Sequence, residues 1–100
     1  MILDKLEVNT IAWANDRGLL EKENSQAQMC KVIEEVGETA AALLKGNREA
    51  LKDGIGDSLV TLAILAAQNN LTLTECWNSA YNEIVNRKGT TVNGTFIKEG

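Results

Sequence analysis

The feature that most limits the fold of this chain is the apolar run LVTLAILAA at residues 59–67. Read as part of a helix, this run is apolar on nearly every side, which is typical of a helix that neighbours cover on several sides. The helix that contains the run is predicted to follow Asn47 and to reach about Asn69. Other helices must therefore surround this segment.

The composition favours those other helices. The chain has no proline, its aromatic content is 4%, and its β-branched residues are scattered, so helix is favoured over sheet. Start and stop signals predict a first helix from about Lys5 to Arg17. Asp4 and Glu7 have the spacing of a capping box at its start, and Gly18 suits its end.

The same signals predict where two more helices begin and end. The second starts after Ser25 and ends at Gly46, and the fourth starts at Thr72 and continues to about Lys88, where Gly89 stops it. Each opens with a capping box, completed in chain order by Gln28 and Glu75.

The tail that follows, TTVNGTFIKE, contains Asn93-Gly94 between Val92 and Phe96, which is a hairpin-like turn signal. A tail this short can equally pack as an arm. Because the chain shows no internal repeat or linker, we predict one all-α domain over residues 1–100. This domain is a four-helix bundle-like protomer with a short C-terminal arm. A chain of this length has a modest core, so assembly into a helical homo-oligomer is expected.

Charge and composition exclude several classes of protein. The net charge is −4 and there is no basic cluster, which argues against duplex nucleic acid as a partner. No apolar run reaches the length of about 18 residues that a membrane span needs. The acids near the N-terminus do not fit a signal peptide, so a cytoplasmic protein is expected. Cys30 and Cys76 each lie in an apolar pattern, and we expect them to be buried free thiols in a reducing compartment.

Histidine is absent, so acid–base or metal chemistry must rest on carboxylates. On a helical wheel of the second helix, Glu34, Glu35 and Glu38 converge on one side. Taken alone, such acids are commonly a solvated face. The opposite arc is apolar and is predicted to face the core; it contains Met29, Val32, Ile33, Val36, Ala40, Leu43 and Leu44.

The third helix adds two acids at the same level. Asp53 and Asp57 are i,i+4 neighbours, and Asp57 lies one turn before the apolar run, where an unpaired charge is costly. If the second and third helices are antiparallel neighbours, Asp57 and Glu38 lie at similar heights. The acids then form an oxygen-only cage, which is typical of sites for magnesium, manganese or calcium.

These motifs resemble a known family. EEVGE at 34–38, followed by GIGD at 54–57, resembles the paired EExxE and ExxD motifs of the MazG-like all-α nucleoside triphosphate pyrophosphohydrolases. WANDRGL at 13–19 and YNEIVNRKG at 81–89 extend the resemblance over nearly the whole chain. The resemblance implies a magnesium-dependent enzyme, with manganese as an alternative ion, that cleaves (d)NTP or related nucleotides to the monophosphate and pyrophosphate. It also implies a homodimer or homotetramer.

The resemblance assigns metal binding to Glu35, Glu38 and Asp57. Gly54 stands where the family has the first acid of ExxD, and Asp53 is the nearby acid that can replace it. One carboxylate must act as the base that activates water. The candidates are Glu34, Glu35 and Glu38.

Substrate phosphates need cations and polar groups, and the resemblance indicates four residues near the end of the fourth helix: Asn82, Asn86, Arg87 and Lys88. A solvated helix end is the alternative reading of this group. Trp13 can stack on a base or pack, whereas Trp77 aligns with apolar neighbours and is expected to pack in the core or at an interface.

Two other classes of protein fit the same residues. Because of Gly54, the first is a catalytically weak module that binds or senses nucleotides. The second is a structural helical oligomerisation protein whose acids are merely solvated.

Overall fold

A computed structural model describes residues 2–100, which form four α-helices and a β-hairpin. The helices are α1 (Ile2–Asp16), α2 (Ser25–Leu44), α3 (Arg48–Gln68) and α4 (Leu73–Ile84). The strands are β1 (Gly89–Val92) and β2 (Thr95–Lys98), and a 3₁₀ turn (Lys22–Asn24) precedes α2. The predicted all-α fold is confirmed, with the hairpin as a small addition.

The ends of the first three helices are set by residues in the left-handed region. Gly46 has a φ of +69°, which allows the next amide, that of Asn47, to donate to the carbonyl of Ala42 at 3.0 Å. This is the hydrogen bond that closes a Schellman motif. Gly18 ends α1 with the same φ, and Asn70 takes the role after α3 with a φ of +59°. The predicted stops at Gly18 and Gly46 are therefore confirmed.

One predicted capping box is confirmed, at the start of α4. The Thr72 side chain accepts a hydrogen bond from the Glu75 amide at 3.0 Å, and the Glu75 carboxylate accepts one from the Thr72 amide at 2.7 Å. The Asp4–Glu7 box is wrong because α1 already begins at Ile2, so both acids lie inside the helix.

The Ser25–Gln28 box is also wrong. Ser25 is the first residue of α2, and its hydroxyl donates back to the carbonyl of Lys22. The Gln28 side chain instead donates to the carbonyl of Thr61 in α3 at 3.0 Å. A tertiary partner has thus replaced the local partner that the spacing suggested.

The centre of the fold is the antiparallel pair of α2 and α3, joined by residues 45–47. Gln28 meets Thr61 near one end of the pair, and Thr39 lies against Gly54 near the other. The Asn47 side chain caps α3 by accepting from the amide of Ala50 at 3.1 Å. The antiparallel arrangement expected from the short connection is confirmed.

The rotation of α2 about its axis differs from the prediction. The stripe that faces α3 includes Val32 and Ala42, which are buried, and Glu35 and Thr39, which are half-buried. This stripe is turned by roughly a quarter turn from the apolar arc. Most of that arc is therefore exposed, and we call its exposed members Met29, Ile33, Val36, Leu43 and Leu44 the α2 apolar face.

The apolar run of α3 is covered over only part of its length. Ala63, Ile64 and Ala66 are buried, whereas Leu59 and Val60 are exposed. Helix α4 covers the run only partly, because Leu73 is its one residue that is not exposed. The expectation of a helix buried on several sides therefore holds for the C-terminal end of α3.

The C-terminal tail forms a hairpin, as its turn signal predicts. Asn93 and Gly94 both have positive φ, at 53° and 78°, which is the conformation of a two-residue type I′ turn. Helix α4 ends at Ile84 rather than near Lys88, and Gly89 begins β1 instead of merely stopping the helix. A Cβ added at Gly89 would lie 2.6 Å from the ring of Phe96, so glycine is needed under that ring.

The expectation of buried thiols is wrong. Cys30 and Cys76 are both free and exposed, because no element within residues 2–100 covers the sides of α2 and α4 that carry them. Within residues 2–100, no helix combines the length and apolarity that crossing a membrane would require.

Candidate active site

Glu35 is the electrostatic centre of a cluster of acids shared by α2 and α3. Its pKa is raised, first by partial burial and then by the negative charges of Glu38 and Asp57, with a smaller effect of Glu34. Lys31 acts in the opposite direction without cancelling the shift. Because the charges of the other three acids act on Glu35, we call Glu34, Glu35, Glu38 and Asp57 the acidic cluster.

The local structure explains why these side chains meet. Glu35 lies on the half-buried stripe of α2 that faces α3, and the Thr39 hydroxyl donates to its backbone carbonyl at 2.7 Å. The antiparallel partner then brings Asp57 within electrostatic reach of Glu35. An ion pair of 3.5 Å joins Lys31 to Glu34, with both side chains about half exposed. Such surface pairs contribute little, typically about 0–1 kcal/mol, so the cluster stays strongly negative.

The structure does not bring Asp53 into this cluster. The charges that raise the pKa of Glu35 include Asp57 but not Asp53, and Asp53 instead lines a neighbouring cavity. Within residues 2–100, no three acidic or cysteine side chains converge closely enough to ligate one ion as they stand. The donor set is nevertheless oxygen-only and negatively charged, which suits a hard divalent ion after rotation of the exposed carboxylates.

A cavity of about 650 Å³ lies between α1, α3 and α4 and has Asp53 and Asp57 on its wall. Its volume falls in the range of about 300–1,000 Å³ typical of small-molecule sites. The remaining wall is mainly apolar and includes Leu6, Val60 and Trp77. Asp57 therefore belongs both to the acidic cluster and to this cavity.

Glu7 also lies in the cavity wall, and not in the capping box that its spacing from Asp4 suggested. Its carboxylate accepts hydrogen bonds from the amides of Leu73 and Thr74 and from the Thr74 hydroxyl. Partial burial would raise the pKa of Glu7, but these hydrogen bonds outweigh it and the pKa is lowered. No local spacing could have revealed a cap whose partners are 66 positions apart in the chain.

The two tryptophans lie in different surroundings. Trp13 is exposed and stacks with Arg17, whose guanidinium lies 4.2 Å from the ring centre, and it does not line the cavity. Trp77 does line it, with 56% of its surface exposed. Packing of Trp77 in the core of one chain is therefore wrong, whereas packing at an interface stays a prediction.

The four residues proposed to bind phosphate are not gathered into one helix face. Asn82 is on α4, but Asn86 and the cations Arg87 and Lys88 follow the end of that helix, so the placement of all four within the fourth helix is wrong. None of the four lines the cavity. Arg87 contacts Glu83 at 3.5 Å.

A helical pair that brings acids together beside a cavity is an arrangement suited to binding a charged small molecule. The comparison with protein families identifies the class: the chain belongs to the MazG nucleotide pyrophosphohydrolase domain family, whose model matches residues 23–91. The match includes all of α2, α3 and α4, and it confirms the family inferred from the motifs.

One relative is an uncharacterised 18.2 kDa protein from the rep-hol intergenic region of Haemophilus phage HP1 (strain HP1c1). It is 41% identical over 69 residues, which are 69% of this chain and 42% of that protein. This chain thus spans less than half the length of that relative. No solved structure matches this chain.

Proposed function

We propose that this chain is a magnesium-dependent nucleotide pyrophosphohydrolase, with manganese as an alternative ion. Its substrates would be (d)NTPs or related nucleotides, cleaved to the monophosphate and pyrophosphate. The observation that carries the proposal is the family match, because it spans both helices of the acidic cluster. The raised pKa of Glu35 beside the charges of Glu38 and Asp57 supports it.

The metal would be held by Glu35 and Glu38 of α2 and Asp57 of α3. Their charges repel, as the raised pKa of Glu35 indicates, so a divalent cation would relieve an unfavourable arrangement. Asp53 is a second candidate from α3, and it would act from the cavity wall. A bound magnesium ion neutralises and orients phosphate oxygens.

The hydrolytic step needs a carboxylate that takes a proton from water. The water oxygen bonds to the α-phosphorus, the bond from that phosphorus to the bridging oxygen breaks, and pyrophosphate leaves. Since Glu35 and Glu38 are assigned to the metal, we assign the base to Glu34. Trp77 and the apolar cavity wall would receive the uncharged part of the nucleotide.

The functional unit would be a homodimer or a homotetramer. The α2 apolar face is exposed in one chain, and contiguous exposed apolar surface commonly marks an interaction site. A second copy of the chain is the partner that the family resemblance implies.

A binding module without efficient catalysis is the second candidate. Gly54 favours it, because this residue stands where the family motif has an acid. The two functions differ in whether pyrophosphate is released.

The test is a screen of canonical and modified (d)NTPs for pyrophosphate release, with magnesium, with manganese and with a chelator. Glu34→Gln is expected to lower turnover by about 10²–10⁴-fold, the range for a lost general base. Glu38→Gln should also shrink the rise in melting temperature that magnesium produces. Glu23→Gln, an exposed acid of the 3₁₀ turn, is the matched control and should change neither quantity.

The outcomes separate the alternatives. Stabilisation by magnesium and nucleotide without pyrophosphate release would identify the binding module. A chain that shows neither effect would be a structural protein, and the proposed enzyme would be excluded.

A further inference from the structure

The proposed site needs a positive charge besides the metal ion. Three carboxylates, those of Glu35, Glu38 and Asp57, would hold the metal, and a single divalent ion leaves this group with a net negative charge. The nearby cation Lys31 lowers the pKa of Glu35 without cancelling the effect of the acids, and it is already paired with Glu34 at 3.5 Å. Because phosphate groups are themselves anionic and bind best through charge-assisted hydrogen bonds, a further cation is expected beside the substrate.

Lys52 places a cation on the other side of Asp57. It lies on α3 and lines the cavity together with Asp53 and Asp57, and among the described residues of that wall it is the one cation. At about 100° per residue, Asp53 lies about a quarter turn from Lys52 around the helix, and Asp57 about 140° from it. Asp57 therefore lies between the acidic cluster and the cavity, and Lys52 lies at the opposite edge of the cavity wall that α3 forms.

The ammonium group of Lys52 is available to a ligand. Its residue is exposed, and within residues 2–100 its side chain makes no ion pair and no hydrogen bond. The sequence of α3 explains this, because the neighbours one turn away are mostly unable to pair with a lysine: Arg48, Ile55 and Gly56, with Glu49 as the one acid. A Cβ added at Gly56 would meet nothing within 4 Å, so a ligand can approach α3 closely at this turn.

The cations that the sequence indicated are less well placed within one chain. Arg87 and Lys88 follow the end of α4, and neither lines the cavity. Arg87 also contacts Glu83 at 3.5 Å. Lys52 is the cation that shares the cavity wall with an acid of the cluster.

We propose that Lys52 binds the phosphate chain of the nucleotide from the cavity side, opposite the metal ion that Asp57 would help to hold. The two residues are five positions apart, which is about 7.5 Å along the helix axis. A chain of phosphates can reach both positive charges, whereas a single phosphate cannot, so the arrangement favours a triphosphate over a monophosphate. The inference rests on the proposed function for the nucleotide, but binding of the phosphates is measured without any reaction.

Titration calorimetry with inorganic tripolyphosphate and magnesium tests the role of Lys52. A salt concentration of about 0.15 M screens charges more than about 8 Å away. Under these conditions Lys52→Gln is expected to weaken binding about 10–100-fold, the loss for a hydrogen bond to a charged group. Lys52→Arg keeps the charge and should retain most of the affinity. Inorganic orthophosphate should bind weakly to the wild type, with little change in Lys52→Gln.

Lys45→Gln is the matched control. It removes the same charge from the end of α2, where the lysine is exposed and does not line the cavity, so tripolyphosphate should bind nearly as it does to the wild type. Because both lysines are exposed, the variants should melt close to the wild-type temperature, which separates a loss of binding from a loss of fold. Equal affinity of Lys52→Gln and Lys45→Gln would overturn the proposal.

The remaining outcomes are also distinct. A wild-type protein that does not bind tripolyphosphate with magnesium, or a loss of binding in Lys88→Gln but not in Lys52→Gln, would exclude the role of Lys52. Binding that depends on Lys52, in a protein that releases no pyrophosphate from any nucleotide, would overturn the proposed function and support the phosphate site. Pyrophosphate release together with unchanged binding by Lys52→Gln would support the function and exclude this lysine.

Discussion

Gly54 lies where α2 and α3 approach closely. A Cβ at this position would be 3.1 Å from the Thr39 Cα and closer still to the Thr39 hydroxyl oxygen, which is itself bonded to the carbonyl of Glu35. In the sequence, Gly54 stands out only as the residue at the position of the first acid of ExxD. The structure provides a packing reason: glycine lets the two acid-bearing helices come together.

Replacement of two glycines of α3 should therefore have opposite effects. Gly54→Ala is expected to destabilise the fold by about 1–3 kcal/mol, as other overpacked sites do. Gly56→Ala meets nothing within 4 Å and should stabilise it by roughly 1 kcal/mol, because alanine is the better helix former. Urea unfolding of the two variants gives both values. Equal stabilisation by both would contradict the close approach of the helices.

Gly54 also shows which part of the site could not be predicted from the sequence. Helical spacing and a short connection were enough to predict that Glu35, Glu38 and Asp57 lie near one another. The rotation of α2 was not predictable, because the contact between Thr39 and Gly54 sets it and periodicity does not record such a contact. The predicted core arc of α2 is wrong for this reason, whereas the role of Asp53 in metal binding stays a prediction.

At the scale of elements, the first turn of α4 joins this helix to α1. The Thr72–Glu75 capping box satisfies part of the helix start, and Glu7 of α1 binds the amides of Leu73 and Thr74. A carboxylate at a helix N-terminus is also favoured by the helix dipole. Glu7 thus joins α1 to α4 and fixes one wall of the cavity.

Removal of this carboxylate should loosen α4. Glu7→Ala is expected to cost about 0.5–2 kcal/mol at neutral pH, the range for a lost N-terminal cap. The pKa of Glu7 is lowered from 4.5, so its stabilising effect is present above pH 4.5 and is lost as the pH falls through the lower, folded-state value. The difference between wild type and variant in thermal unfolding should therefore shrink at acid pH.

Glu21→Ala is the control for this comparison, because the Glu21 side chain makes no capping hydrogen bond. Its melting temperature should stay close to that of the wild type at neutral pH. A Glu7→Ala variant as stable as the control would show that the cap contributes nothing.

Element boundaries were predicted well where the signal is local. Gly18, Gly46, Asn47 and Thr72 act on the backbone within a few residues, and their roles are read from the sequence alone. The end of α4 was placed too late because Gly89 must be extended to pair with Lys98 in the hairpin. That pairing is set by residues on the far side of the turn.

At the scale of the whole molecule, a single copy leaves much apolar surface uncovered. The radius of gyration of 15.7 Å exceeds the value of about 13 Å for a compact chain of this size. The α2 apolar face contributes to this surface, as do exposed apolar side chains of α1, α3, α4 and the hairpin. We expect association with a second copy to cover part of it.

Light scattering should find a dimer or a larger assembly at micromolar concentration, with a melting temperature that rises with protein concentration. Ile33→Asp places a charge in the α2 apolar face and is expected to lower the mass toward that of a monomer. Ala41→Asp, an exposed position of the same helix outside that face, is the control and should not. A wild-type monomer throughout this range would contradict the proposed assembly.

The short connection at residues 45–47 also bears on the order in which the chain folds. The entropy lost in closing a loop grows with its length, and contacts that are near in sequence favour rapid folding. The pairing of α2 with α3 closes a short loop, whereas the bonds of Glu7 to α4 close a long one that spans 66 positions. We therefore expect the carboxylates to be brought together early, and the cavity beside them to form only when α1 meets α4.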